Sequence, residues 1–218
     1  MSILQKITKL ICPYMNEQGY TLSQKCFYKI HNDIAYCLEF DMPGGLVYAN
    51  FFVMPLYIPC KNRYYTYGNR VNSLHRSKLL PLAKNASDDE VNDWCDLLLH
   101  YLKKCIFPFF QKIDTPSKLV KIVETKKHLF GPYFACPSVQ IFRLQLFSYL
   151  YTEDVEKLFP LTKKYLLIIQ ESTYLTEAVR NSYLEEIDFI VQLTQNDILT
   201  AKTFCDKTVE DTIRNCFE

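Results

Sequence analysis

Apolar positions recur along this chain with two different periods, and the places where the period changes divide it. Ile3, Ile7, Leu10, Ile11 and Tyr14 return at helical spacing. Gly19 is placed to end that helix, because a glycine takes the left-handed conformation after a helix without steric cost. Pro13 lacks an N–H and crowds the preceding turn, so it is expected to kink or split the helix. From Thr21 the period falls to two. Cys26, Tyr28 and Ile30 alternate, and Asn32-Asp33 supplies a turn. Ile34, Tyr36, Leu38 and Phe40 then share one strand face, with Cys37, Glu39 and Asp41 on the other. Met42-Pro43-Gly44-Gly45 is the clearest hairpin signal in the chain. Beyond it, Leu46 to Met54 is apolar on both faces except at Asn50, the pattern of a strand covered on both sides. These segments predict a three-stranded antiparallel meander. Tyr64 to Val71 is a candidate fourth strand at the edge, weakened by Gly68 and Asn69.

After Pro81 the helical period returns and persists. Ser87 with Glu90 three positions on is a capping box. Val91, Trp94, Cys95, Leu98, Leu102, Cys105, Ile106 and Phe109 carry that helix forward, with Pro108 expected to kink its end. Thr115-Pro116 reads as a cap followed by the first helical position. Val120, Val123 and Leu129 lie near the apolar side of the helix it opens, and Gly131-Pro132 stops it. Further helices are predicted from Ser138 to about Tyr151, from Glu153 to Ile169 with Thr152 as its cap, over Thr176 to Leu193, and over Asp197 to Cys216. The last four make two consecutive hairpins of about 34 residues, with Tyr149-Leu150 and Tyr183-Leu184 in register at that spacing. The small residues that let tetratricopeptide helices approach closely are missing, and two units are too few for a solenoid. They read as a helical layer packed on the sheet.

Composition narrows the class. The chain has 218 residues with 25 bases against 24 acids, so its charge is nearly balanced, and its 15% of aromatic residues come mostly from tyrosine and phenylalanine. Only five glycines are present, which fits an ordered protein with little linker. Nine cysteines, an odd number with no C-x-x-C pair, read as buried free thiols rather than a zinc or redox framework. Gln5, Lys6, Thr8 and Lys9 interrupt any signal-peptide apolar region, and no apolar run approaches the length of a membrane span. A reducing cytoplasm is the expected location, with no membrane association.

The charge is not evenly spread. Met42 to Ser87 contains no acid, six bases (Lys61, Arg63, Arg70, Arg76, Lys78, Lys84) and five tyrosines (Tyr48, Tyr57, Tyr64, Tyr65, Tyr67). Within it, Tyr57, Lys61, Arg63, Tyr64, Tyr65, Tyr67, Arg70 and Arg76 form the candidate binding set, because interleaved bases and rings can pair with anions, stack on bases or anchor a protein interface. Residues 171–218 hold ten acids against four bases. Glu185, Glu186 and Asp188 there, and Asp88-Asp89-Glu90 at a helix start, read as solvated carboxylates.

Catalytic and metal chemistry find little support. Cys26, His31 and Asp33 are close in sequence, but a buried strand thiol and a turn histidine explain them. His128 and Cys136 flank the Gly131-Pro132 turn with the same reading. The four histidines are scattered, and Cys60 with His75 would supply only two ligands. Gly44-Gly45 joins strand to strand with no following Lys-Ser/Thr, so it is a turn and not a phosphate loop.

Cys12-Pro13-Tyr14, Gly19-Tyr20, Cys26-Phe27-Tyr28-Lys29 and the Asn32-Asp33 hairpin together resemble the start of an uncharacterised bacterial family of domains of unknown function. The resemblance covers under a third of the chain. It implies an α+β cytoplasmic protein, and some similar domains look like immunity proteins that act by binding; it implies no site residue.

The expected fold class is therefore α+β: an N-terminal helix and antiparallel three- to four-stranded meander in residues 1–80, then an all-helical half in residues 81–218 packed on it as one domain. The expected function is non-enzymatic recognition of another protein, of immunity or regulatory type, with no catalytic residue, metal or cofactor. A small enzyme whose site is dispersed in sequence is the alternative, and a single-stranded nucleic-acid binder the third reading.

Overall fold

Helix α1 (Ile3–Glu17) opens the structure, a computed structural model that describes residues 1–125, 138–173, 175–196 and 198–218. Ser2 caps it, accepting from the Gln5 N–H while the Gln5 side chain returns to the Ser2 N–H. Pro13 lies inside α1 without splitting it. The buried stripe Ile3, Ile7, Ile11 and Met15 runs past the proline, so packing against helix α2 (Asp88–Tyr101) holds the last turn in place. Gly19, at φ +78°, then closes the helix: its N–H bonds the Asn16 carbonyl and that of Tyr20 bonds the Met15 carbonyl.

The fold is α+β, with the N-terminal helix, antiparallel sheet and helical C-terminal half that the pattern predicted. Among the described residues the sheet has six strands: β1 (Thr21–Ser23), β2 (Cys26–His31), β3 (Ile34–Asp41), β4 (Leu46–Pro55), β5 (Tyr67–Arg70) and β6 (Leu82–Ala83). Their order is β1-β2-β3-β4-β5, with β6 also paired to β4. Asn32 and Asp33 both take positive φ between His31 and Ile34, the two-residue turn whose twist matches a hairpin. β1 and β6 were not anticipated, since strands of three and two residues carry no readable period.

By its contacts the described chain divides into two units, one holding residues 1–54 and 64–114, the other residues 55–63, 115–125 and 138–218. The first unit thus takes in the helical residues up to 114 together with the sheet. Aromatic packing explains this grouping. Phe109 and Phe110 of helix α3 (Phe107–Lys112) meet Phe51 of β4 edge-on at 5.9 and 6.4 Å, Phe110 meets Tyr36 of β3, and Phe40 meets Trp94 of α2. Between α2 and α3 the chain takes a π-helical stretch, Leu102–Ile106, in which the Phe107 N–H reaches back to the Leu102 carbonyl. Pro108 would collide with the carbonyl four residues before it in a regular helix, and the wider turn relieves that crowding.

In the second unit Thr115 caps α4 (Pro116–Glu124), accepting from the Lys118 N–H. Helices α5 (Ser138–Tyr151), α6 (Val155–Glu171), α7 (Glu177–Asn196) and α8 (Ile198–Phe217) pack in series, and α8 returns to α5. That return closes the four helices on themselves, unlike an open repeat array. Thr152 does not cap α6: its hydroxyl bonds the Ser148 carbonyl and finishes α5, while Asp154 takes the position before α6. Glu186 is not solvated either. Arg143 of α5 grips it with a fork, Nε to Oε2 at 2.7 Å and Nη2 to Oε1 at 2.7 Å, and Nη2 also donates to the Pro59 carbonyl at 2.9 Å. Leu129, Gly131, Pro132, His128 and Cys136 lie outside the described residues.

Two substitutions test these supports. A Cβ at Gly68, paired with Phe52 across β4 and β5, would fall on the Phe51 carbonyl oxygen and within 2.5 Å of Phe52 Cα. Gly68→Ala is expected to cost about 3 kcal/mol or more, read as a lower urea midpoint at unchanged slope. Arg143→Ala strands the largely buried Glu186 carboxylate and is expected to cost about 2–4 kcal/mol in thermal or urea unfolding. Arg143→Lys should recover part of that loss, and equal stability of Arg143→Ala and wild type would remove the ion pair from the fold's supports.

Candidate functional site

The first unit carries a cleft of about 340 Å³ where the end of α1, the edge of the sheet and α3 meet, lined by Gln18, Tyr20, Lys29, His31, Tyr36, Phe107, Phe110, Gln111 and Asp114. Local structure places each side chain. The left-handed turn at Gly19 redirects the chain out of α1, and Tyr20 stacks on Phe107 with ring centroids 5.4 Å apart. Phe107 also stacks on Tyr14 at 6.1 Å, so the rings of α1, its exit turn and α3 form a continuous apolar wall. β1 pairs β2 only over Cys26 to Tyr28, so β2 continues past its neighbour from Lys29 onward. Lys29 and His31, two residues apart, share the strand face that looks toward α3, opposite Tyr36 and Ile34 of β3.

Polar contacts fix the cleft's rim. Lys29 Nζ donates to the Gln18 carbonyl at 3.0 Å, a cation at the negative end of α1. Its ammonium retains two further donors. Asn32 Nδ2 donates to the Asp114 carbonyl at 2.8 Å and lies 3.1 Å from His31 Nε2. With the amide as donor, Nε2 is the acceptor and the neutral imidazole carries its proton on Nδ1. The Tyr36 hydroxyl donates to the Ile113 carbonyl at 2.5 Å. Burial, helped by the Asp114 carboxylate, pushes the Tyr36 phenol up to about 12, and burial raises Tyr20 further still. At neutral pH the aromatic rings are thus uncharged, with Lys29 and the Asp114 carboxylate in the cleft lining and Lys103 over the Tyr14 ring at 4.6 Å.

The candidate residues of the basic segment are divided between the two units. Tyr57 is fully buried in the second, stacked on Tyr151 at 4.5 Å with its hydroxyl 2.8 Å from Ser148 Oγ. Arg63 of the same unit donates to the Cys216 carbonyl at 2.7 Å and lies over the Phe217 ring, while Lys61 is exposed. In the first unit Tyr67 is buried against Phe109, and half-buried Tyr65 meets Phe52 edge-on at 4.3 Å. Arg70 lies 3.4 Å from Asp41 and over the Tyr48 ring at 4.2 Å. Tyr64 is half-buried and Arg76 is exposed. The expected open series of stacking tyrosines is therefore corrected at Tyr57 and Tyr67, whose rings fill interiors because each strand or turn that carries them is covered. Cys26 is buried with its thiol toward the Phe27 carbonyl, away from His31 at the far end of β2.

Sequence reasoning found Gly19, Lys29 and His31 only as structural residues and did not connect them with Phe107, Phe110, Gln111 or Asp114. No spacing rule links residues some 80 positions apart, although a tyrosine directly after a helix-ending glycine was a usable sign that a ring is being aimed. Among the described residues no three His, Cys, Asp or Glu side chains gather so as to hold a metal ion, and no helix is long and apolar enough to cross a membrane. Compared with protein-family models, curated proteins and solved structures, the chain matches none.

The Tyr36 contact makes a pH prediction. The folded state keeps this phenol protonated to about pH 12, whereas the unfolded chain releases it near pH 10. Its stabilisation is complete below about pH 10 and is lost as pH rises toward 12. Tyr36→Phe should cost about 1 kcal/mol at neutral pH through the lost hydrogen bond. It should also flatten the alkaline decline of urea-unfolding free energy, whereas an unchanged slope between pH 10 and 12 would mean that Tyr36 does not contribute to it.

Proposed function

We propose that this protein is a recognition module whose first unit binds an aromatic, carboxylate-bearing group presented by another protein. The observation that carries this reading is the cleft's pairing of Lys29 and His31 on one strand face with an uncharged wall of Tyr20, Tyr36, Phe107 and Phe110. About 340 Å³ is at the small end of ligand pockets, enough for one ring and a neighbouring carboxylate. The ring would exchange water for aromatic contacts, and the ammonium of Lys29 would meet the carboxylate in a charge-assisted bond. Binding is favoured over catalysis by the lining itself. His31 Nε2 is engaged by Asn32, and no cysteine, serine or threonine is among the described lining residues to act as a nucleophile.

Tyr14, Tyr20 and Lys29, which carry part of the resemblance to immunity-like domains, meet at this cleft and its wall. An immunity-type or regulatory role, in which the protein acts by occupying a partner, agrees with that placement.

The test is titration of a short peptide ending in phenylalanine, once with a free C-terminal carboxylate and once amidated, followed by amide and side-chain NMR shifts. The free acid is expected to shift Lys29, His31 and Tyr36, and the amide to bind about tenfold more weakly or worse, the worth of one charge-assisted bond. Lys29→Gln should remove the preference for the acid, with its melting temperature measured alongside because Lys29 also holds the Gln18 carbonyl. Equal binding of acid and amide, or shifts confined to other surfaces, would sink the proposal.

A further inference from the structure

The second unit places two cysteines from opposite ends of its sequence against each other. Cys60 lies on the non-regular segment after β4, and Cys216 lies in the last turn of α8; their sulfurs are 3.5 Å apart. The surroundings hold both backbones in register without locking the side chains. Arg63 donates to the Cys216 carbonyl at 2.7 Å and lies over the Phe217 ring, and Asn215 Nδ2 reaches the Cys60 carbonyl at 3.5 Å. Thr212 Oγ1, one turn before Cys216, is 3.8 Å from Cys60 Sγ. Closing the sulfurs to a bond of about 2.0 Å needs a shift of roughly 1.5 Å. Neither end resists it, since Cys60 belongs to no helix or strand and Cys216 sits one residue from the end of α8.

We propose that Cys60 and Cys216 are a reversible oxidation site, closed to a disulfide by hydrogen peroxide and reopened by small thiols. The more accessible cysteine begins the reaction: Cys60 is half-buried, whereas Cys216 is buried at 6% exposure. The Cys60 thiolate attacks one peroxide oxygen, the O–O bond breaks and water leaves after protonation, giving a sulfenic acid at Cys60. Cys216 then attacks the Cys60 sulfur as its thiolate, the S–O bond breaks, and the hydroxide leaves as water. Two thiols give up two electrons in all, and one peroxide becomes two waters. Arg143 and Arg63 lie near enough to favour the respective thiolates, but burial outweighs them, raising Cys60 and pushing Cys216 up to about 12. At neutral pH the pair is held largely as thiols, which slows its attack on peroxide, so the cross-link forms slowly at pH 7 and faster as pH rises. The cross-link would convert a hydrogen-bonded tie between the 55–63 segment and α8 into a covalent one, closing a loop that spans 156 positions.

The pair is read directly in the wild-type chain by treating it with stoichiometric hydrogen peroxide, alkylating the remaining thiols and digesting with trypsin. The expected product joins the peptide of residues 30–61 to that of residues 215–218 through Cys60 and Cys216, with Cys37 alkylated. Two thiols per chain disappear, and the melting temperature rises and returns on addition of reductant. In Cys216→Ser, dimedone should label Cys60 and the rise in melting temperature should vanish. Recovery of both cysteines alkylated while other thiols oxidise would overturn the proposal, and so would Cys60 cross-linked between chains with Cys216 reduced. The wild-type peptide map does not depend on either variant folding.

Discussion

The first unit is organised by the need to cover a strand that is apolar on both sides. β4 is buried continuously from Ala49 to its end, and alternate residues point to opposite faces, so neither face can be left to water. On one face Phe51 is met by Phe109 and Phe110. On the other, Phe52 is met by Tyr65, and Tyr48 by the Arg70 guanidinium. Removing a residue of this kind costs both its transfer free energy and the cavity it leaves, about 3–5 kcal/mol for a buried phenylalanine. Gly68 belongs to the same constraint, because β5 approaches β4 at a place where a methyl group would meet backbone rather than a movable side chain.

The helix that covers β4 also creates the cleft. To bring Phe109 and Phe110 onto the sheet, the chain must pass Pro108, and the π-helical stretch before it sets where α3 begins. Phe107 is then left at the edge, where Tyr20 and Tyr14 stack on it. The cleft is thus the margin of the aromatic packing, a wall too apolar to be bare and too near the sheet edge to be closed. Lys29 occupies that margin for a structural reason of its own, the α1 carbonyl end, and its remaining donors give the margin a charge.

What was legible in the sequence was what is decided within a few residues. The capping box at Ser87, the cap at Thr115, the turn at Asn32-Asp33 and the stop at Gly19 each complete a hydrogen-bonding need locally, so residue type and spacing suffice. Pro13 and Thr152 show the limit. Pro13 carries a real local penalty, but the stripe ending at Met15 outweighs it. Thr152 has two ways to satisfy its hydroxyl, and the end of α5 takes it. The cleft was not legible because its walls come from three elements brought together only by packing. Glu186 was misread for the same reason, since its partner Arg143 lies 43 positions away and no period connects them.

The acid-free run divides in the structure: Lys61, Arg76, Lys78 and Lys84 are exposed, whereas Arg63 and Arg70 are held by the fold. An acid-free run of 46 residues looks like a positive surface only if its bases have no partners outside the run. Arg70 finds Asp41, one residue before the run begins, and Arg63 finds a carbonyl at Cys216, a group that no tally of acids includes. Guanidinium groups seek planar acceptors wherever the fold supplies them, so arginines in a folded chain are poor reporters of net field. Lysines at a strand edge behave differently, because an ammonium that satisfies one carbonyl still has hydrogens to offer. Lys29 is such a residue: it holds the Gln18 carbonyl and lines the cleft beside the Tyr20, Tyr36, Phe107 and Phe110 rings, with the Asp114 carboxylate also in the lining.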